Sequence, residues 1–490
     1  MKKEFLLNLV LLVGINLLIK PFYAFGIDLQ VQNRVGMEDY GLYFALFNFS
    51  YIFQIISDLG IQQHNSRFIA QNPKLLAKYL PDFLALKGVL ALIFFTVSLI
   101  TGLILGYGKA ESIELLLLML CNQVLITFIF YLRSNLAALQ FYRTDSLISA
   151  LDKLLLIGFV AFLLWGPWKE GFTIQWFVYA QTASFLVTAI SVWIILFRKV
   201  KIPLRLKWNS ARIVAVLRKS WPYALVVFLM TAYTRLDAVM LERMLPGTEG
   251  EIQSGVYAFG YRLLDAFNMI GYLFASLLLP MFARMLQKKE EIGDLLKTAH
   301  QWMFFLTASL SYSVLFFGDE LSHWMLKDAS EYTVSVFSLL IWSSISSGII
   351  YIFGTLLTAN GSMKQMNLVF TIGLILNIIG NAFLIPNFGA WGAALSTVVT
   401  QSFVAIAEII LVYRQVPNAR SFYIPTEILR TLMLCMGLFL IFGLMNSYFS
   451  PFIDWRISII LGGFAGLAWA ERIGAVELKG FFTILQSRSQ

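Results

Sequence analysis

Apolar residues in this chain form long, nearly continuous runs, and polar residues collect in the short stretches between them. A helix needs about 20 such residues to cross a hydrocarbon layer of roughly 30 Å. Fourteen runs are long enough when tilt is allowed, so the pattern predicts fourteen transmembrane helices. They lie near residues 5–30, 39–60, 82–106, 113–137, 147–165, 175–197, 221–244, 255–282, 299–318, 332–358, 367–385, 390–413, 428–448 and 456–471.

The fold class follows from these runs and from composition. The runs are continuous, unlike the alternating segments of about ten residues that build a membrane β-barrel. Hydrophobic residues make up 59% of the chain, charged residues make up 13%, and the mean hydropathy is +0.74. Such values exceed what the core of a soluble protein needs. We therefore expect an all-α polytopic membrane protein. Cys121 and Cys435 fall inside apolar runs, and we expect neither a disulfide nor a metal site from them.

Basic residues predict the orientation of the helices. Short cytoplasmic loops collect Lys and Arg, and most of the 37 basic residues fall inside if the N-terminus is cytoplasmic. Lys87, Arg133 and Lys153 are counted among these cytoplasmic cations. An even number of spans then places both termini in the cytoplasm. The net charge of +9 is explained by this topology, so we do not expect nucleic acid as a partner.

A basic stretch separates two related halves of the chain. Eight Lys and Arg residues lie between Arg198 and Lys219, which we interpret as a cytoplasmic linker that anionic lipid headgroups could also contact. The segment 254–259 repeats the Gly and Tyr of 40–45 at an offset of 214. Six spans per copy give two copies of the same orientation, as in parallel transporter repeats. The predicted parts are an N-terminal lobe (1–197), the linker (198–220), a C-terminal lobe (221–413), and two extra spans with a tail (414–490).

Three cations within the spans predict a cationic cavity. At 1.5 Å per residue, Lys20 and Arg235 lie roughly 21 to 23 Å above the cytoplasmic ends of their helices, and Arg262 lies roughly 10 Å below the outer face. Buried charges normally face a bundle interior or an aqueous cavity. An anionic ligand would offset their cost. The alternatives are that Lys20 extends to the interface, that Arg235 pairs with another helix, and that Asp265 neutralises Arg262.

Four acids within the spans are candidates for coupling to a proton or sodium gradient, because intramembrane carboxylates often form proton relays. They are Asp28, Asp237, Glu242 and Asp265. Asp28 and Glu242 lie near the outer ends of their spans, where solvation at the membrane interface is the simpler explanation. Asp237 is the strongest of the four.

Three further residues are hinge or gate candidates. Pro21 directly follows Lys20 and should break or kink the first span, because proline removes a backbone hydrogen bond. Asp39 lies near the start of the second span, and Asp58 lies near its cytoplasmic end. Interrupted helices are common at transporter binding sites.

Several segments resemble a known family. Val35–Tyr43 and Ser57–Gly60 are similar to the second span of bacterial polysaccharide flippases, in the multidrug/oligosaccharidyl-lipid/polysaccharide exporter superfamily. The resemblance continues in Arg235–Asp237, Gly255–Tyr257 and Pro386–Leu395. It implies a fold like that of the multidrug and toxin extrusion (MATE) transporters and a place in the bacterial inner membrane.

The resemblance also implies a function. The chain would move an undecaprenyl-pyrophosphate-linked oligosaccharide to the outer leaflet by alternating access, for O-antigen, capsule or exopolysaccharide synthesis. Lys20, Arg235 and Arg262 would then bind the pyrophosphate. Expected partners are the lipid-linked glycan, membrane lipids, a polysaccharide polymerase and glycosyltransferases.

Three other functions compete with this one. A multidrug exporter would carry cations, which the three buried cations disfavour, and that branch typically has twelve spans. A lipid II flippase is a near relative, but it carries more cations in its opening spans. A polysaccharide polymerase or ligase would be expected to have a large outer loop with catalytic polar residues, and none is present. His64, His300 and His323 are isolated, so we expect no enzymatic activity, cofactor or metal.

Overall fold

The computed structural model describes residues 18–62, 65, 69, 73–200, 209–419, 424–450 and 452–477. Regular structure in these ranges is entirely helical, which confirms the predicted all-α class. The start of the first predicted span, residues 201–208 of the basic linker and residues 478–490 of the tail lie outside the described residues.

Thirteen α-helices make up most of the described chain. They are α1 (Leu29–Phe53), α2 (Leu76–Ile104), α3 (Ala110–Ala138), α4 (Tyr142–Trp165), α5 (Ile174–Lys199), α6 (Ser210–Met244), α7 (Thr248–Lys288), α8 (Gly293–Met325), α9 (Glu331–Ile341), α10 (Ser343–Asn360), α11 (Met363–Gln415), α12 (Ile424–Leu444) and α13 (Trp455–Arg472). Phe22–Asp28 is a π-helix that leads into α1, and Met445–Phe449 is a second π-helix that follows α12. Within the described ranges, nine helical stretches are long and apolar enough to cross a membrane.

Two glycines break long helices into pairs of spans. Gly36 in α1 has φ 88° and ψ 178°, and Gly389 in α11 has φ 55° and ψ −133°. Glycine is the default residue at such positive φ values, because it has no Cβ. With these breaks, and with α9 and α10 joined at Trp342 into one segment, the described ranges contain fourteen helical segments of roughly membrane length. The number matches the prediction from the apolar runs.

The first compact unit is Met1–Gly255. In this unit α3 and α4 pack against α5, and α1 packs against α6. Leu80, Tyr131, Leu132 and Val192 are fully buried between these helices. The predicted division into lobes at 197 and 221 rests on the sequence repeat and remains a prediction.

The second compact unit is Val256–Gln490. Here α10 packs against both α8 and α11, and α12 and α13 pack against α8. Phe305, Phe317, Leu438 and Phe442 form part of the apolar core that joins α8 to these last two helices. The two extra helices are therefore an integral part of this unit.

Close backbone contact joins α1 to the first turns of α7, within the first unit. A Cβ on Gly41 would overlap the carbonyl oxygen of Glu251, and a Cβ on Gly255 would overlap that of Met37. The two pairs are related by the offset of 214 that the sequence repeat predicts. Gln32 also donates to the Gly255 carbonyl oxygen at 2.9 Å. The repeated glycine therefore allows two equivalent helices to meet backbone to backbone.

Candidate functional site

Lys20 lies in a helical stretch where regular α-geometry changes. Pro21 follows it and is succeeded at once by the π-helix Phe22–Asp28. Proline has no N–H to donate, so the hydrogen-bond pattern has to change near it. The hinge role of Pro21 remains a prediction, although its position at this irregularity agrees with it. The Lys20 side chain is half-buried, and the charges of Lys153, Asp152 and Arg133 act on it through space.

A cluster of charges on α3 and α4 lies near the segment that carries Lys20. Lys153 of α4 lies over the ring of Tyr23 at 4.8 Å, and its Nζ is 3.6 Å from the carboxylate of Asp152. Arg133 of α3 donates to Asp145 of α4 at 2.8 Å. Lys153 and Arg133 are about one-fifth to one-quarter exposed. The first unit thus contains three half-buried cations close to one another.

Arg235 of α6 faces α1. Its Nη1 lies 3.4 Å from the Asn48 side-chain oxygen, and its guanidinium lies 5.3 Å from the centre of the Tyr51 ring. The guanidinium is half-buried, whereas Asp237, two residues later, is completely buried. That difference agrees with the expectation that the two side chains lie on nearly opposite faces of the helix.

Arg262 and Asp265 belong to α7 in the second unit. Arg262 is 7% exposed, and Asp265 is half-buried. Both take part in polar or electrostatic interactions with their surroundings. A single cationic layer formed by Lys20, Arg235 and Arg262 remains a prediction.

Glu242 is held inside the protein at the end of α6. It is 3% exposed, accepts a hydrogen bond from the Tyr107 hydroxyl at 2.6 Å, and pairs with Arg243. Arg243 also donates to the carbonyl oxygen of Leu105 at 3.0 Å. Burial, together with the Glu242 carboxylate, raises the pKa of Tyr107 well above its usual value. The simpler explanation of interfacial solvation is therefore wrong for Glu242, because its carboxylate is enclosed by protein groups.

The remaining acidic candidates differ in their surroundings. Asp28 is half-buried and accepts a hydrogen bond from Tyr40 at 2.9 Å. Asp39 is exposed. Asp58 pairs with Lys87 of α2 at 2.8 Å. The coupling and gate roles of these acids remain predictions.

Three cations that are counted as cytoplasmic lie inside helices. Lys87, Arg133 and Lys153 belong to α2, α3 and α4. Lys87 is only 4% exposed and also donates to the Ser57 carbonyl oxygen at 2.9 Å. The signal was available in the sequence, because each of these residues lies within its own apolar run.

Glu408 is a further buried acid, in the second half of α11. Its side chain is 0% exposed, and its carboxylate lies against the backbone of Gly354 in α10. The sequence placed it within the twelfth span without assigning it a role. In the described part of the chain, no group of three or more His, Cys, Asp or Glu side chains is arranged to hold a metal ion.

Comparisons with known proteins give a family and a fold. The family described as "Polysaccharide biosynthesis protein" matches residues 8–286. No curated protein matches the chain.

Among solved structures, the lipid II flippase MurJ in an inward closed conformation is 14% identical, with a TM-score of 0.66, and the match covers 95% of this chain and 98% of that one. An inward-facing MATE-family multidrug resistance transporter is 16% identical, with a TM-score of 0.61 and coverage of 84% and 96%. A transporter of the same superfamily from Pyrococcus furiosus is 14% identical, with a TM-score of 0.55 and coverage of 84% and 95%, and it is described as having a binding pocket of reversed polarity. These similarities show that the chain has the fold of this group of transporters.

Proposed function

Because the chain belongs to the polysaccharide biosynthesis protein family, we propose that it is a flippase for a lipid-linked oligosaccharide. The cargo is a glycan carried on undecaprenyl pyrophosphate, and the product is the same molecule in the outer leaflet of the inner membrane. No bond is made or broken, so the protein acts as a transporter, not as an enzyme. The glycan would serve O-antigen, capsule or exopolysaccharide synthesis.

Half-buried cations within membrane-length helices carry this proposal. Lys20 and Arg235 lie in the first unit at positions where the surrounding sequence is strongly apolar. Placing a charge at the centre of a membrane helix costs about 2.5 to 3.5 kcal/mol on insertion scales, so such a charge needs a compensating environment. A pyrophosphate provides one through charge-assisted hydrogen bonds.

Movement of a charged headgroup through such a protein proceeds by alternating access. Lys20, Arg235 and Arg262 are the cations that we propose bind the headgroup. The lipid tail would remain in the bilayer, next to the extra helices α12 and α13. Asp237 is the first acid to test for coupling to an ion gradient, followed by Asp265, Glu242 and Asp28. Partners would be the glycosyltransferases that supply the cargo and the polymerase that consumes it.

Two other transporter functions differ from the proposed one in their cargo. Export of cationic drugs is supported by the likeness to the MATE-family structure, but half-buried cations would repel such a cargo. Lipid II, the cargo named for MurJ, shares the pyrophosphate. The two flippase functions therefore differ in the glycan, and the headgroup charge separates both from drug export.

Reconstitution tests the proposal directly. Purified protein in liposomes should move a fluorescent undecaprenyl-pyrophosphate glycan between leaflets, as measured by the fraction of fluorophore that an impermeant reductant bleaches. Protein-free liposomes give the background rate. A rate equal to that background would contradict the proposed function, and so would export of a cationic dye in its place.

The cationic layer predicts the effect of removing its charges. The triple change Lys20→Ala, Arg235→Ala, Arg262→Ala should reduce transport to the background rate, because the pyrophosphate would lose its charge-assisted bonds. The matched control is a triple change of exposed cations, Lys169→Ala, Lys288→Ala, Lys327→Ala. Unchanged transport in the first variant would contradict the layer.

A further inference from the structure

We infer that Lys153 and Arg133 form, together with Lys20, an anion-binding track along which the phosphates of the cargo rise from the cytoplasmic side. This inference rests on the proposed function, and it assigns part of the binding site to α3 and α4. It concerns the first unit alone.

The orientation of α4 supports the track. Leu147, Leu154 and Trp165 are exposed, and their spacing of seven and eleven residues places them on one side of the helix. Asp145, Asp152 and Lys153 lie on another side, more than 90° around the helix axis at 100° per residue. The apolar side suits lipid. The charged side, only partly exposed, therefore faces the interior of the protein.

Arg133 and Lys153 lie at successive heights above the end of the α3–α4 hairpin. Arg133 is five residues before the end of α3 at Ala138, which is about 8 Å of helix, and Lys153 is eleven residues after Tyr142, which is about 16 Å. The Lys153 ammonium lies against Tyr23, one turn after Lys20, so it lies near the level of Lys20. The hairpin end is the side that the basic residues predict to be cytoplasmic.

Aromatic contacts hold the Lys153 side chain beside the segment that carries Lys20. Tyr23 lies one turn beyond Lys20, and the Lys153 ammonium lies 4.8 Å from the centre of its ring. Lys153 also lies 5.5 Å from the centre of the Phe185 ring of α5. Aromatic faces attract a cation and keep its N–H groups available for an anion. The Lys153 ammonium is therefore held beside the segment that carries Lys20, farther from the hairpin end than Arg133.

Each cation of the track has an internal carboxylate partner. Asp145 accepts from Arg133 at 2.8 Å, and Asp152 lies 3.6 Å from Lys153. These acids neutralise the cations while no cargo is bound. An arriving phosphate competes with them for the same N–H groups. This competition lowers its affinity, so the phosphate binds at each cation but can still dissociate and move to the next. The acids thus set how strongly the track binds.

The track predicts opposite effects on anion binding when its cations and when its acids are removed. Binding of farnesyl pyrophosphate, a soluble analogue with the same headgroup, is measured by titration calorimetry on the purified full-length protein in detergent. Lys153→Gln and Arg133→Gln should each weaken binding by about tenfold or more, as expected for loss of a hydrogen bond to a charged group. Asp145→Asn and Asp152→Asn should each strengthen it. Farnesol, which has no phosphate, should bind equally to all variants.

Controls separate the track from general damage. Arg143→Gln removes an exposed cation from α4, the helix that carries Lys153, and should leave farnesyl pyrophosphate binding unchanged. Lys153→Arg and Arg133→Lys keep the charge and should retain most of the affinity. If the acid variants weaken binding as much as the cation variants, the pairs are structural and the track is wrong. If the wild type binds farnesyl pyrophosphate but Lys153→Gln binds it equally well, the track alone fails. If the wild type binds it no better than farnesol, the proposed function fails as well.

Discussion

The cationic side chains of the first unit differ in how deeply they are buried and in which groups they contact. Lys153 and Arg133 remain partly exposed, whereas Lys87 is buried and donates to both Ser57 and Asp58. The apolar runs predict which segments cross the membrane, so the sequence gives the position of each cation within its span. The sequence does not reveal ion-pair partners such as Asp58 and Lys87, which are 29 residues apart, because their pairing depends on how α2 packs against the end of the second span.

The buried pair predicts the outcome of removing Lys87. Lys87→Met leaves the Asp58 carboxylate without its cation, and breaking a buried pair in this way costs about 3 to 5 kcal/mol. The midpoint of thermal unfolding of the purified protein in detergent should therefore fall clearly.

Lys288→Met is the matched control for this change. Lys288 lies 3.6 Å from Glu290, but both side chains are largely exposed. Such surface pairs contribute about 1 kcal/mol or less, so the midpoint should hardly move. Equal shifts in the two variants would contradict the structural role assigned to Lys87.

At the level of elements, the sequence predicted helices better than contacts between helices. Gly36 and Gly389 lie in segments that resemble the flippase family, and each interrupts a helix at positive φ between two predicted spans. The π-helix after Pro21 was anticipated only as a kink, since proline identifies where a helix changes but not which geometry replaces it. The repeat at offset 214 identified Gly41 and Gly255 as equivalent, but nothing in the sequence indicated that their helices cross at these residues.

Because α1 and α7 cross so closely, a single methyl group added at the crossing should strongly destabilise the protein. Gly41→Ala and Gly255→Ala each place a Cβ onto backbone atoms of the other helix, which cannot move aside as a side chain can. Each variant should lower the thermal midpoint and the transport rate, because the two helices are forced apart. Gly255→Ala should match Gly41→Ala, since the two contacts are equivalent.

Gly158→Ala in α4 controls for the change of residue type. No atom lies within 4 Å of a Cβ at Gly158, and alanine is favoured over glycine within a helix by about 0.5 to 1 kcal/mol. This variant should be as stable as the wild type or slightly more so. Gly41→Ala with the stability and activity of Gly158→Ala would disprove the close crossing.

For the whole molecule, composition and apolar runs were sufficient to predict a helical membrane protein of fourteen spans. The comparisons confirm the fold and show that the chain belongs to the polysaccharide biosynthesis protein family. The contacts that hold the C-terminal end of α6 were not predictable. Tyr107 and Glu242 are 135 residues apart, and neither residue type indicates a partner at that distance. Side-chain contacts of this kind would determine which glycan the protein selects. The negative charge of the carrier, in contrast, is predicted by cations that are visible in the sequence.

The proposed function requires the protein to translocate a lipid whose headgroup is anionic. A transport assay tests this by comparing, in the same proteoliposomes, one fluorescent glycan attached either to undecaprenyl pyrophosphate or to a neutral polyprenyl ether. The pyrophosphate lipid should move rapidly, and the neutral lipid should move only at the rate of protein-free liposomes. Equal rates for the two lipids would contradict the proposed function.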